Sequence, residues 1–109
     1  MALYRLRFFF DAGSGICLWS GNAEAHREYG YPIDVDLLPL SATLRRRARE
    51  LIAWYDSCYD WASLAGVVAW DGAETRRFGV YAQVVLGELR RELGSVYELV
   101  DESGTAALV

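Results

Sequence analysis

The sequence contains no lysine, a single histidine and only two cysteines, and each scarcity excludes a kind of site. With His26 alone, one chain cannot assemble a metal site built on paired histidines. Cys17 and Cys58 match no CxxC or zinc-ligand spacing, and both lie in apolar stretches. We therefore expect two reduced, buried thiols, and neither a metal nor another cofactor.

A long hydrophobic run is missing as well. No apolar stretch approaches the roughly 20 residues that a membrane-spanning helix needs. The first residues lack the apolar region and cleavage site of a signal peptide. Together with two reduced thiols, these absences predict a cytoplasmic protein.

What the chain does contain is apolar surface and acid. Its 109 residues fit a single domain covering residues 1–109, and 53% of them are hydrophobic. This surplus leaves room for a surface that binds a partner or a second copy of the chain. The net charge of −4 disfavours binding to nucleic acid and suits a basic protein partner.

The alternation of apolar residues predicts a β-hairpin at the start of the chain. Residues 3–10 alternate as a strand, residues 11–15 have the composition of a turn, and residues 16–20 read as a second strand. A final short strand is predicted at residues 96–100. We expect it to pair beside the first strand, and we expect the tail from Asp101 onward to fray.

Helical periodicity and capping residues predict three helices between these strands. Asn22 can cap a short helix, Ser41 a helix over about 42–60, and Asp71 a helix over 71–93 with Glu74 completing a capping box. In the last helix the predicted core stripe includes Tyr81. Residues 62–70 read as a loop.

The resulting order is β-β-α-α-α-β, which is typical of the α+β class. The simplest architecture is a small antiparallel or mixed sheet of three strands. Two long helices packed on one face of that sheet would bury both of their apolar stripes.

The helix over 42–60 carries its charges in an unusual order. Its first half is basic and its end is acidic, which is opposite to the preference of the helix dipole. Such a departure indicates either a functional surface or compensation by charges on other elements. The residues concerned are Arg45, Arg46, Arg47, Arg49, Asp56 and Asp60.

Two acidic pairs could carry chemistry. Asp34 and Asp36 lie two residues apart, and Asp56 and Asp60 lie four apart on one helix face. Paired carboxylates can hold a hard cation or act as acid and base. No glycine-containing calcium loop surrounds either pair, so a solvated acidic surface is the simpler interpretation.

Four segments carry a resemblance to a group of proteins. They are residues 17–22 (CLWSGN), 29–34 (YGYPID), 38–41 (LPLS) and 54–56 (WYD). Together they resemble small uncharacterised actinobacterial proteins, which offer no catalytic motif. In size and charge these are similar to the immunity proteins that neutralise polymorphic toxins. The resemblance implies a binding protein rather than an enzyme.

The leading hypothesis is an immunity-type inhibitor that occludes a basic partner enzyme such as a toxin. Carboxylates would guide the encounter and tryptophans would anchor it, although such tryptophans can equally roof the core. One alternative is an Arg-mediated binder of nucleic acid or an acidic protein, and another is a small enzyme using paired Asp residues. A homodimer is compatible with all three. The candidate partner-binding residues are Asp34, Asp36, Asp56, Asp60, Trp61 and Trp70, and the Arg-mediated alternative uses Arg45, Arg46, Arg47 and Arg49.

Overall fold

The computed structural model describes residues 2–58 and 70–108 of the chain. The strands are β1 (Tyr4–Phe8), β2 (Leu18–Ser20), β3 (Pro32–Ile33) and β4 (Tyr97–Asp101). The helices are α1 (Ala23–Tyr29), α2 (Ala42–Asp56) and α3 (Gly72–Leu93), with 3₁₀ turns at Val35–Leu37 and Thr105–Leu108. The α+β class predicted from the sequence is confirmed.

The sheet is mixed and has the strand order β3-β2-β1-β4. β1 and β2 pair antiparallel, as the predicted hairpin requires, and β4 lies parallel beside β1 as expected. The prediction of three strands is wrong, because β3 adds a fourth strand antiparallel to β2. β3 is only two residues long and includes Pro32, so alternation could not reveal it.

The core lies between the inner face of this sheet and the two long helices. Leu6 and Phe8 of β1 are fully buried, and their neighbours Arg5 and Arg7 lie on the opposite face. The helices contribute buried stripes, listed here as Leu44, Ala48, Leu51 and Ile52 of α2 and Phe78, Ala82, Val85, Leu86 and Leu89 of α3. Burial of each large apolar side chain contributes about 1.5–3 kcal/mol.

The predicted helix starts are confirmed by their capping hydrogen bonds. The side chain of Asn22 accepts from the amide of Ala25 at the start of α1. Ser41 and Asp71 cap α2 and α3 in the same way. Each cap stabilises its helix by about 1 kcal/mol. No described helix is long and apolar enough to cross a membrane.

The expectation that the chain frays from Asp101 is wrong. Asp101 is the last residue of β4, and the following tail turns back along α3 so that Thr105 is buried. The tail lies so close that a Cβ on Gly79 would stand 2.7 Å from the Cβ of Leu108. The short polar residues that suggested fraying instead form a hydrogen-bonded network, described in the Discussion.

Candidate functional site

The structure separates the predicted acidic residues into two places. Asp34 caps the Val35–Leu37 turn and Asp36 lies within it, and a carboxylate oxygen of Asp34 accepts from the amide of Asp36 at 2.8 Å. The guanidinium of Arg49 forms an ion pair with Asp36 and lies 3.7 Å from Asp34. Arg49 therefore offsets one of these two negative charges from within the chain.

Arg49 itself belongs to the rival basic set, so the sets proposed for two different functions are in contact. The hydrogen bond to Asp36 is the main reason that the pKa of Arg49 is raised above its ordinary value. All three side chains are about half exposed, so water screens the attraction. The cluster is a surface ion-pair network rather than an open acidic patch.

Asp56 lies elsewhere, at the end of α2. Its carboxylate accepts from the amide of Gly13 at 3.0 Å, which fixes the β1–β2 turn against the helix end. The hydroxyl of the next residue, Ser57, accepts from the indole N–H of Trp70 at 3.2 Å. The structure thus brings Asp56 and Trp70 together, whereas Asp60 and Trp61 lie outside the described residues.

We call this region the acidic end and define it by Asp11, Asp56, Asp71 and Trp70. Within residues 2–58 and 70–108, none of its three carboxylates forms an ion pair with an arginine. The carboxyl end of α2 adds partial negative charge here, whereas the amino end of α3 at Asp71 adds partial positive charge, and a guanidinium nitrogen of Arg76 lies near Gly72. The acidic end differs from the Asp34–Asp36–Arg49 cluster because its carboxylates form no ion pair with an arginine.

Trp70 is half-buried at this end and closes the core. Its ring centre lies 5.0 Å from that of Phe78 and 6.0 Å from that of Trp54. Trp54 is held in turn by a hydrogen bond from its indole N–H to Glu74, at 2.8 Å. Trp70 roofs the core, as the simpler interpretation of the sequence allowed, and keeps part of its ring at the surface.

The basic first half of α2 is compensated by carboxylates on other elements and on α2 itself. Arg47 pairs with Glu88 of α3 at 2.7 Å, and Arg46 lies 3.7 Å from Glu50 one turn along its own helix. Arg45 donates from one terminal nitrogen to the carbonyl of Leu38 at 2.7 Å. Its Nε is buried and finds no acceptor among the described residues.

The helix dipole of α2 is also compensated from α3. The carboxylate of Glu92 accepts from the amide and the hydroxyl of Ser41, at 2.7 and 2.9 Å, directly at the first turn of α2. These hydrogen bonds lower the pKa of Glu92. The acid that the sequence of α2 lacks at its start is supplied by tertiary structure, so the unusual charge order needs no functional explanation.

A second surface lies on the side of α3 that turns away from the sheet. We call it the α3 face and define it by Val80, Tyr81, Val84 and Gly87. The three large side chains are 46%, 59% and 52% exposed. The prediction that Tyr81 joins the core stripe is therefore wrong, because the stripe centred on Phe78 already fills the space above the sheet.

The α3 face borders a groove of about 620 Å³ between α2 and α3. Leu51 lines it from α2, Trp54 stands at one end and the Arg47–Glu88 ion pair at the other. Exposed large apolar residues that adjoin one another typically mark a contact surface. The spacing of Val80 and Val84, one turn apart and off the Phe78 stripe, is the sequence signal that could have revealed it.

The outer face of the sheet is closed by its own side chains. The Phe9 and Trp19 rings stack with centres 4.7 Å apart, and the guanidinium of Arg7 lies 5.0 Å from the Phe9 centre. Arg7 also donates two hydrogen bonds to Glu102, at 2.9 and 2.7 Å. These contacts link β1 to β2 and to Glu102 after β4. They also occupy the guanidinium of Arg7.

Neither thiol is suited to nucleophilic chemistry. Cys17 and Cys58 are both buried, as their apolar context predicts. Burial raises the pKa of Cys17 to about 12 and raises that of Cys58 as well, so both stay protonated near neutral pH. No group of three potential metal-ligating side chains is found among the described residues.

Comparison with protein-family models and with curated proteins finds no match for this chain. The resemblance drawn from its four segments therefore stays a prediction. The two surfaces that could bind a partner are the acidic end and the α3 face.

Proposed function

We propose that this protein is a protein-binding module, an immunity-type inhibitor that occludes a basic partner enzyme through its acidic end. The observation that supports the proposal is the position of the carboxylates that lack an arginine. Asp11 lies in the β1–β2 turn, whose Gly13 contacts Asp56 at the end of α2, and Asp71 at the start of α3 adjoins Trp70, which contacts Ser57. With a net charge of −4, the whole chain repels acidic partners and attracts basic ones.

In this mechanism the carboxylates guide the encounter and fix its register. Charge complementarity of this kind raises association rates and excludes partners of the wrong sign. Asp56 is already oriented by the amide of Gly13, so little side-chain freedom is lost when a cation approaches. The exposed edge of Trp70 adds apolar contact area beside the charges. Inhibition itself is steric, because the bound module covers the cationic cleft of the enzyme.

The alternative of phosphate binding by arginines has less support. Arg46, Arg47 and Arg49 each pair with a carboxylate of this chain, and a phosphate would have to displace it. A nucleic acid would also meet the repulsion of the net negative charge.

The proposal is tested by capture followed by measured binding. A tagged chain is used to recover proteins from lysate of the source organism with nuclease present, and the recovered protein is purified for titration. The Asp11→Asn, Asp56→Asn double variant is expected to weaken binding about tenfold and to reduce its salt dependence. Asparagine at position 56 retains an oxygen that accepts from Gly13, so the fold is kept.

The matched control is the Asp34→Asn, Asp36→Asn double variant, which removes the same formal charge from the paired cluster. It is expected to change the affinity less than about threefold, because the cluster lies outside the acidic end and Arg49 offsets one of its two negative charges. Equal losses for both double variants would show that net charge alone matters and would refute the assignment to the acidic end. Recovery of nucleic acid alone would contradict the proposal and support nucleic-acid binding through the arginines.

A further inference from the structure

β4 is the last strand of the sheet, and β1 is the only described strand that pairs with it. The amide of Tyr4 donates to the carbonyl of Val96, just before β4, at 3.0 Å. The amide of Glu102, just after β4, donates to the carbonyl of Phe8 at 2.9 Å. Alternate residues of a parallel strand bond to the same neighbour, so the even-numbered residues of β4 face β1.

The odd-numbered residues of β4 consequently direct their amides and carbonyls to the outer edge of the sheet. The amide of Tyr97 is bonded there to the carbonyl of Gly94, in the turn that precedes the strand, at 3.3 Å. The amide of Leu99 has no acceptor among the residues that the structure describes. Unpaired backbone groups on an edge strand are a template for another strand, so this edge is where a second chain could extend the sheet.

The side chain of Arg90 occupies the centre of this edge. Arg90 lies in the last turn of α3, and one of its terminal nitrogens donates to the carbonyl of Leu99 at 2.9 Å. Leu99 is the middle residue of β4, so a strand that pairs along the edge needs the same carbonyl as an acceptor. A hydrogen bond from a charged donor is roughly twice as strong as one between neutral groups. The amide of an incoming strand therefore competes poorly with the guanidinium.

The side-chain pattern of β4 is otherwise suited to pairing with a second copy of itself. Two β4 strands that run antiparallel about a two-fold axis at Leu99 would set Glu98 opposite Val100 of the second copy. The same register sets Tyr97 opposite Asp101. No carboxylate of β4 would lie directly opposite another, so the pairing carries no repulsion between facing side chains. Each Leu99 amide would donate to the Leu99 carbonyl of the other copy, which is the group that Arg90 occupies.

We infer that Arg90 blocks the outer edge of β4, and that without it the β4 strands of two copies pair antiparallel about Leu99 and join the two sheets. The bond from Arg90 keeps the central acceptor of the edge occupied within the chain. Charged side chains at sheet edges prevent unwanted strand pairing in this way. The contact involves none of the residues that define the acidic end, so the inference does not depend on the proposed function.

Sedimentation velocity over a concentration series tests the inference with the protein alone. Arg90→Met keeps the length of the side chain and removes its donors. It is expected to dimerise with a dissociation constant at least about tenfold lower than that of the native chain, because no bond to Leu99 has to be broken in either copy. The matched control is Arg91→Met, which removes the same charge from the next residue of α3 and should behave as the native chain does. Circular dichroism checks that both variants stay folded.

A second pair of variants tests the register of the strands. When Val100→Glu is added to Arg90→Met, it sets a carboxylate opposite Glu98 of the second copy, twice in one contact. The dissociation constant should therefore rise about tenfold. Val80→Glu adds the same charge on α3, at a valine that is 46% exposed outside β4, and should change the dissociation constant less than about twofold. Equal effects of the two glutamates would show that the dimer forms through a surface other than β4 and would refute the inference.

Amide hydrogen exchange locates the pairing at a single group. In the native chain the Leu99 amide should exchange faster than that of Val100, which bonds to β1. In Arg90→Met the exchange of Leu99 should slow at least about tenfold as the concentration rises through the dimerisation range. A folded Arg90→Met chain that stays monomeric at every concentration would overturn the inference. A dimer in which Leu99 gains no protection, or one that Arg91→Met forms equally well, would also overturn it.

Discussion

Two glycines of α3 lie two turns apart and differ in what packs against them. At Gly79 the tail of the chain packs so closely that no side chain fits. At Gly87 a Cβ would meet no described atom within 4 Å, and the residue is exposed. The covered side, at Gly79, shows how this fold uses a helical glycine, namely to let another segment approach. Gly87 has no such neighbour among the described residues, so the two positions should respond differently to an added methyl group.

The covered side is held by a polar network as well as by close packing. The carboxylate of Asp101 accepts from Gln83 of α3 at 2.9 Å and from the hydroxyl of Ser103 at 2.6 Å. Gln83 also donates to the hydroxyl of Thr105, at 2.7 Å. Because the polar groups on this side are hydrogen-bonded within the chain, it offers no surface to a partner, unlike the α3 face.

The largest expected effect comes from filling the covered glycine. Gly79→Ala is expected to destabilise the protein by about 2 kcal/mol, because the methyl group must push back Leu108 and the carbonyl of Thr105. Urea unfolding measures this loss. Gly87→Ala, at the open position, should instead raise the free energy of unfolding by about 0.5–1 kcal/mol. If both variants shift stability in the same direction, the contrast between the two sides is wrong.

A smaller effect is expected when the network on the covered side is weakened. Partial burial alone would raise the pKa of Asp101, but the hydrogen bonds from Ser103 and Gln83 outweigh it and lower the pKa below its ordinary value. A depressed pKa in the folded state means that ionised Asp101 stabilises the fold above its unfolded pKa. This contribution is lost as the pH falls through the folded value.

The prediction is therefore a pH-dependent difference between the native chain and Asp101→Asn. At pH 7 the variant should be less stable by about 1 kcal/mol, and the difference should shrink below about pH 4. Urea unfolding at both pH values measures it. Comparing the two proteins at each pH removes the contributions of Glu92 and Glu102, whose pKa values are also lowered. A difference that is constant with pH would contradict the role given to the charge.

Much of the fold could be predicted because local rules and tertiary structure agree there. The caps at Ser41 and Asp71 and the β1–β2 hairpin depend on neighbouring residues, so the sequence pattern reveals them. The pairing of β4 beside β1 followed from the need to cover the first strand. The short β3 and the docked tail depend on contacts between distant residues, which a local pattern does not contain.

The candidate sites were harder to predict for the same reason. The sequence places Asp36 and Asp56 in equivalent acidic pairs, but only the fold shows that Arg49 reaches Asp36. The charge order of α2 is compatible with a functional surface or with compensation from other elements, and the fold favours compensation because Glu92 lies at the first turn. Tyr81 matched a helical core stripe, and its exposure depends on how α3 is rotated above the sheet.

The most direct test of the acidic end is the salt dependence of binding to the recovered basic partner. Binding of the native chain should weaken as salt rises, because screening reduces the attraction between opposite charges. The Asp11→Asn, Asp56→Asn variant should lose much of this salt dependence, and the Asp34→Asn, Asp36→Asn variant should keep most of it. Equal salt dependence in the native chain and in both variants would contradict the account.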